Sequence, residues 1–339
     1  MNEDTDISGV SLGLTVDSGK NALRIALRSV NLHPGSIVGI PAFCCKEVIS
    51  AVREEGFTPY YFDMEKPGTY WALYDEKKVI EANIKAIIVT HLYGYVHPFT
   101  KEIVDMCARN NVKLIHDAAQ SFGIDTSDFG DHPVVYSFGP GKSTTAALGG
   151  EVLNVRTHPG IKTKSFWDNQ EARFFFNTRL FGTEQKRSHF LFKKLYDRFK
   201  KKKSGFFELS AFQKEKALQA KAIALNKRKE REERYLILKD AVSKLNSVSI
   251  AYETKAGLFF KVVLYVNKNV ENFIKYLEEN KVPHFRLGTT IDVGLLQTKD
   301  LPNFKQTYLN LVELSSERSI PVSETKRVAQ VLSAYKNED

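Results

Sequence analysis

The sequence predicts an α/β protein with a mainly parallel central sheet covered by helices, followed by a smaller C-terminal α/β domain. Three observations carry this. Short β-branched runs alternate with amphipathic stretches through the first half, a long charged helical run spans Leu209 to Leu245, and apolar strand-like and helical segments return after residue 246. Strands that alternate with helices argue for parallel pairing, because a parallel connection needs a crossover and the crossover helices cover both faces of the sheet.

In chain order, Ile37–Ile40, Tyr60–Phe62, Ala86–Val89, Lys113–Ile115 and Val134–Tyr136 read as short buried strands. Between them, Asn21–Asn31, Lys46–Glu55 and Phe99–Asn110 place apolar residues at helical spacing. After Glu151–Val155 the alternation stops, and about 156–206 is aromatic and basic, the pattern of an insertion or arm. The run Leu209–Leu245 reads as one helix bridging two domains. Beyond it, Leu258–Val266 reads as a strand, and Val270–Asn280 and Ser323–Tyr335 as helices. The division expected is a large domain over 1–215, with the insertion inside it, and a bridging helix plus small domain over 216–339.

Composition narrows the class. Hydrophobic residues make up 42% of 339, enough for a sizeable core. No stretch approaches the roughly 18 uncharged apolar residues of a membrane span, and Met1–Asp6 is too acidic for a secretory signal, so the expected location is the cytoplasm. Three cysteines, two of them adjacent at Cys44 and Cys45, make no disulfide framework, and no CxxC or HxxxH spacing suggests a metal. Much of the +9 net charge is gathered in Lys193–Lys203. Such a tract suits an anionic surface or a solvated loop, and peripheral membrane contact through 186–203 is one expectation. No helix-turn-helix or zinc pattern accompanies it, so no nucleic-acid partner is expected.

In open parallel sheets ligands bind beyond the carboxyl ends of the strands, and two of three short motifs fall just after predicted strands. Ser18-Gly19-Lys20 precedes the first helical stretch, where small residues let backbone N–H groups approach an anion; a plain helix cap has the same signature. His116-Asp117-Ala118-Ala119-Gln120 follows Lys113–Ile115. A carboxylate at a buried strand end needs a cationic or donor partner, a protonated ring nitrogen being one, or else it caps the next helix. Ser137-Phe138-Gly139-Pro140-Gly141-Lys142 follows Val134–Tyr136, and a lysine in a tight, partly buried loop is suited to nucleophilic attack on an aldehyde. The GKS inside Gly141-Lys142-Ser143 is no phosphate-binding P-loop, because the glycine required five residues earlier is Tyr136.

The order and separation of these motifs resemble the fold-type I pyridoxal-5′-phosphate (PLP) enzymes of the DegT/StrS group, the nucleotide-sugar aminotransferases. Leu32–Phe43, Gly56–Asp63, Thr90–Gly94, Ala224–Tyr235 and Ser316–Val322 resemble further stretches of that family. The resemblance implies a fold-type I PLP-transferase-like architecture and a homodimer with active sites at its interface. It also implies amino transfer, with glutamate as donor and a nucleotide-linked keto-sugar as acceptor, in cell-surface polysaccharide or related sugar biosynthesis. It assigns Lys142 as the Schiff-base and proton-shuttling lysine. Asp117 would bind the pyridinium nitrogen, Gln120 would lie near the phenolic oxygen, and Ser18, Gly19 and Ser137 would hold the phosphate.

Three positions depart from the family pattern. Lys20 stands where a threonine is usual and is expected to neutralise the phosphate or face solvent. Cys45 occupies the place of the aromatic that stacks on the cofactor ring. Phe206 falls where the family has an asparagine reaching the neighbouring subunit's phosphate. His91 and Tyr93, after the strand Ala86–Val89, and Arg286 in the small domain are candidate substrate contacts. The departures leave two alternatives: a non-catalytic or regulatory protein of this fold, or another PLP-dependent sugar modification. The family's dehydratases replace the Schiff-base lysine with histidine, which Lys142 argues against.

Overall fold

A computed structural model describes residues 12–139, 141–144, 149–155, 160–163, 205–252, 257–287, 300–314 and 322–335. Seven strands form the larger sheet: β1 Leu14–Val16, β2 Ile37–Pro41, β3 Thr58–Phe62, β4 Ala86–Thr90, β5 Lys113–Asp117, β6 Val134–Ser137 and β7 Gly150–Leu153. Their order is β1-β7-β6-β5-β4-β2-β3. The pairs from β3 through β6 are parallel, and β6–β7 and β7–β1 are antiparallel. The expected mainly parallel sheet is therefore present, with an antiparallel edge. The edge strand Leu14–Val16 escapes sequence reading because three residues carry too little periodicity.

The parallel strands are bracketed by α1 Gly19–Ser29, α2 Lys46–Glu54, α3 Glu76–Glu81 and α4 Thr100–Arg109. Every residue of β4 is buried, as the middle of a doubly covered sheet requires. Alternate residues serve opposite faces. Ala86 and Ile88 join Ile25, Ala26 and Leu27 of α1, whereas Ile87 and Val89 join Ile103 and Met106 of α4. Six-residue α3 is absent from the sequence reading because a single buried residue, Val79, marks its inner face.

The run Leu209–Leu245 is two helices, not one: α5 Ala211–Asn226 and α6 Arg228–Val242, separated at Lys227. The expectation of a continuous helix fails because a buried guanidinium stabilises the break. Arg231 of α6 donates from Nη1 to the carbonyl of Ala224 at 3.1 Å, satisfying an end-of-helix acceptor that water cannot reach. A Ser210–Gln213 capping box starts α5.

The second sheet contains β8 Val248–Ile250, β9 Val262–Val266, β10 His284–Arg286 and β11 Leu311–Leu314, in the antiparallel order β10-β11-β9-β8. Around it lie α7 Val270–Glu279, α8 Pro302–Thr307 and α9 Val322–Ala334. The strand expected over Leu258–Val266 begins only at Val262. Its first residues instead join the larger sheet's loops: Leu258 N–H donates to Gly94 O at 2.8 Å and Lys261 N–H to Tyr93 O at 3.3 Å. Gly94 permits this approach. Its φ is +92°, and a Cβ there would lie 2.9 Å from Phe260 Cβ. Most of the aromatic and basic arm, including the tract 186–203, and Ser316–Pro321 of the late family-like stretch lie outside the described residues.

One carboxylate ties the end of β3 to α8. Asp63 accepts the Phe304 N–H at 2.7 Å and the Asn303 N–H at 3.0 Å, two donors in the first turn of α8. Asp63→Ala is predicted to destabilise the protein by about 2 kcal/mol, the range for losing a charged helix cap. Chemical denaturation measures this, and an unchanged midpoint would show that the junction does not depend on Asp63.

Candidate active site

The carboxyl ends of β4 and β5 open into a cavity of about 660 Å³, within the size range of small-molecule sites. Asp117, Ala119, Gln120, Lys142, Tyr93 and Cys45 line it from the larger sheet, and Lys261, His284, Phe285 and Glu313 from the smaller one. The structure thus gathers Asp117, Gln120, Lys142, Cys45 and Tyr93 at one site.

Asp117 ends β5, and its Oδ1 accepts the Ala119 N–H at 3.0 Å. Burial pushes its carboxyl above the ordinary range, while the Lys142 ammonium and the Ala119 N–H pull it partly back. Gln120 uses its Oε1 to accept the Tyr93 N–H at 3.1 Å, and Ser121 accepts the Gly94 N–H at 3.0 Å. The loop after β5 therefore fixes the loop after β4, where Tyr93 sits in the left-handed region at φ +59°, as several asparagines of the chain do. Sequence reading had no signal for Ser121, since a serine directly after a strand-end motif is unremarked by periodicity.

Ser18 caps α1, its Oγ accepting the Asn21 N–H at 3.1 Å. Gly19 then presses on the end of β6, where an added Cβ would come within 2.6 Å of Ser137 Oγ. Gly150 is equally tight, since a Cβ there would lie 2.7 Å from Ser18 O. Ser18, Gly19 and Ser137 consequently meet at the positive end of α1. Thr144 donates its hydroxyl to Ser137 O at 3.0 Å, tying the turn that carries Lys142 to the same point.

Other predicted residues are placed elsewhere. Lys20 pairs with Glu54 at 2.7 Å and Glu47 at 3.7 Å, so it faces α2 and not the Ser18–Ser137 junction. Arg286 donates to Leu309 O at 2.9 Å and to Glu271 at 2.7 Å, and does not line the cavity although its β10 neighbours His284 and Phe285 do. His91 touches the cavity but is fully buried, and both ring nitrogens are engaged. Nδ1 accepts the His97 N–H at 3.1 Å, and Nε2 lies 3.0 Å from His116 Nδ1. Burial, then His116 and His97, hold His91 neutral, and burial drops His97 and His116 to about 3. These rings support the floor of the site. Phe206 is buried with the Arg24 and Arg28 guanidiniums 5.0 and 4.7 Å from its ring centre, so its side chain belongs to its own chain's core. Lys261 and Glu313 are cavity residues that sequence reading missed; the available signal was a single charge inside each apolar run, LFFKVVLYV and LNLVEL.

The profile of the DegT/DnrJ/EryC1/StrS aminotransferase family matches residues 5–332. The chain belongs to this family. It is 30% identical over 154 residues to the GDP-perosamine synthase of Escherichia coli O157:H7, covering 44% of this chain and 42% of that one. It is also 30% identical over 186 residues to the UDP-N-acetyl-3-dehydro-α-D-glucosamine 3-aminotransferase of Acidithiobacillus ferrooxidans, covering 51% and 50%. The matches thus span about half the length of these relatives. In fold, the chain is similar to the crystal structure of ntda from Bacillus subtilis with bound cofactor PMP. That likeness has a TM-score of 0.67 at 21% identity and covers 94% of this chain and 72% of that one.

The residues present fit a pyridoxal phosphate. Asp117 is a desolvated carboxyl in want of a cation, Lys142 shares its cavity, and the Ser18–Gly19–Ser137 junction lies at a helix N-terminus without a side chain at Gly19. A carboxyl raised on folding adds stability at low pH and loses it as pH rises from the unfolded value through the folded one. Asp117→Asn is therefore predicted to raise the melting temperature of cofactor-free protein at neutral pH, with the gain shrinking towards about pH 3.5. Thermal unfolding across that range tests it; a lower melting temperature for the variant at pH 7 contradicts it.

Proposed function

We propose that this chain is a PLP-dependent aminotransferase that moves an amino group from glutamate to a nucleotide-linked keto-sugar. The observation that carries the reading is the pairing of Asp117 and Lys142 across one cavity, with burial raising the carboxyl and the lysine's charge drawing it down. Family membership supports the amino transfer, and the named activities of the two relatives support a nucleotide sugar as acceptor.

When bound, the cofactor supplies an aldehyde and an electron-withdrawing ring. Asp117 would hold positive charge at the ring nitrogen. Gln120, its Oε1 held by the Tyr93 N–H, would have its amide N–H₂ free to meet the ring's phenolic oxygen. The α1 N-terminus, Ser18 and Ser137 take the phosphate, with Lys20 contributing at most a distant charge because it is paired with Glu54. Lys142 Nζ would be the base that accepts the proton from the donor's α-carbon and holds it for return. Cys45, at the exposed N-cap of α2, covers a ring face with a small polarizable atom.

A homodimer in the cytoplasm, serving cell-surface polysaccharide or related sugar synthesis, completes this reading. Among the described residues no helix is long and apolar enough to cross a membrane.

Wild-type protein is expected to develop a visible absorption band on adding PLP and to lose it on adding L-glutamate. Lys142→Ala should bind PLP without that band and lose at least about 10²–10⁴-fold in turnover, the contribution of a positioned general base. A wild-type protein that gives no band in excess PLP would move the non-catalytic reading to the front.

A further inference from the structure

The wall of the cavity facing Asp117 and Lys142 carries charge that amino transfer, as derived above, does not use. Lys261 Nζ lies 2.7 Å from Glu313 Oε2, and the two side chains are only 16% and 10% exposed. An ion pair so far removed from water gives little net stability, and an apolar pair of similar size would serve the core as well. Its location gives it another purpose: both residues line the cavity.

The second sheet sets this pair in a row with an aromatic ring. Glu313 of β11 stands opposite Phe285 of β10 on one side and Val263 of β9 on the other. Directly opposed residues share a face, so Glu313 and Phe285 project to the same side of the sheet. Phe285 also lines the cavity and is 46% exposed, a large apolar ring left uncovered. Lys261, one residue before β9, is anchored by its backbone: its N–H donates to Tyr93 O and its carbonyl accepts the Tyr95 hydroxyl at 3.3 Å. The loop that Gln120 holds thus also holds Lys261.

The remaining bonding capacity defines a ligand. Among the described residues, Lys261 Nζ gives one of its three N–H donors to Glu313, and Glu313 uses Oε2 for that bond. Further donors on the ammonium and the second carboxylate oxygen remain side by side. Two neighbouring hydroxyls of a sugar ring match this set, one accepting from the ammonium and the other donating to the carboxylate, both as charge-assisted bonds. The pair is electrically neutral, so it does not select for an acidic or basic substituent at that place. A sugar ring's C–H face can rest on Phe285.

We propose that Lys261, Glu313 and Phe285 form the subsite that recognises the acceptor, and that it takes a neutral ring bearing adjacent free hydroxyls. This rests on the aminotransferase reading above and assigns the acceptor's place within it. The three residues are specificity determinants that touch substrate; none is given a proton to move.

The test separates the two half-reactions in PLP-loaded protein. Lys261→Met, Glu313→Gln and the double variant Lys261→Met/Glu313→Leu are compared with wild type. The probes are L-glutamate and GDP-perosamine run in reverse, an amino sugar whose ring carries two adjacent free hydroxyls. Each single variant is expected to keep the PLP band and its glutamate-driven loss, while KM for the reacting sugar rises about ten- to hundred-fold. The double variant should match wild type in thermal stability, since an apolar pair replaces the ion pair, yet keep the raised sugar KM. The subsite is overturned if sugar KM is unchanged in both single variants, if the double variant recovers a normal KM, or if the glutamate step falls in parallel with the sugar step. A wild-type protein that turns over glutamate but does not react with this sugar removes the sugar reading and this subsite with it. A wild-type protein without the PLP band fails at the earlier step, before the subsite is reached.

Discussion

The carboxyl of Asp117 is the constraint around which the site is arranged. Folding brings it to the end of a central strand and strips it of much of its water, with one backbone N–H and the nearby charge of Lys142 in partial compensation. A protein selected for stability alone would place an apolar residue there. A cation beside it in the cavity would offset that cost. The neighbouring histidines cannot supply that cation, because burial keeps His91, His97 and His116 neutral.

Around this point the chain uses loops to hold loops. Gln120 and Ser121, from the end of β5, fix Tyr93 and Gly94 after β4, and the backbone of Tyr93 and Gly94 in turn receives the segment 258–261 that leads into the second sheet. The cavity walls carrying Asp117 and Lys261 are therefore connected through two consecutive sets of hydrogen bonds. Asp63 makes a separate connection at α8, so the second sheet is seated at two places.

Much of the framework was legible because burial writes a period into sequence. The β4 and β5 strands and helices α1, α2 and α4 announce themselves through apolar spacing, and the strand-end rule then points to Asp117 and Lys142. The misses have physical causes. Leu14–Val16 is too short to carry a period, and the break at Lys227 depends on Arg231 reaching across space to Ala224. Lys20 and Arg286 were chosen for their charge, yet carboxylates on α2 and α7 claim them. No sequence rule tells which acid a base will meet. Lys261 and Glu313 were missed for a different reason: each is a lone charge in an apolar run, and only the fold brings Lys261, just before β9, to Glu313 on β11.

The aromatic cluster between the two sheets has a consequence for observing this protein. Trp71 is almost completely buried, with ring centres 4.7 Å from Tyr70, 5.2 Å from Tyr252 and 5.1 Å from His97. Tyr252 follows the first strand of the second sheet, whereas Trp71 and His97 belong to the connections of the first. Tyrosine excitation passes readily to an indole at such separations, and a neutral imidazole quenches indole emission far less than a protonated one. The seam between the two sheets thus contains an intrinsic fluorophore whose colour and intensity follow how closely the sheets are seated, and burial keeps the imidazole of His97 beside it neutral.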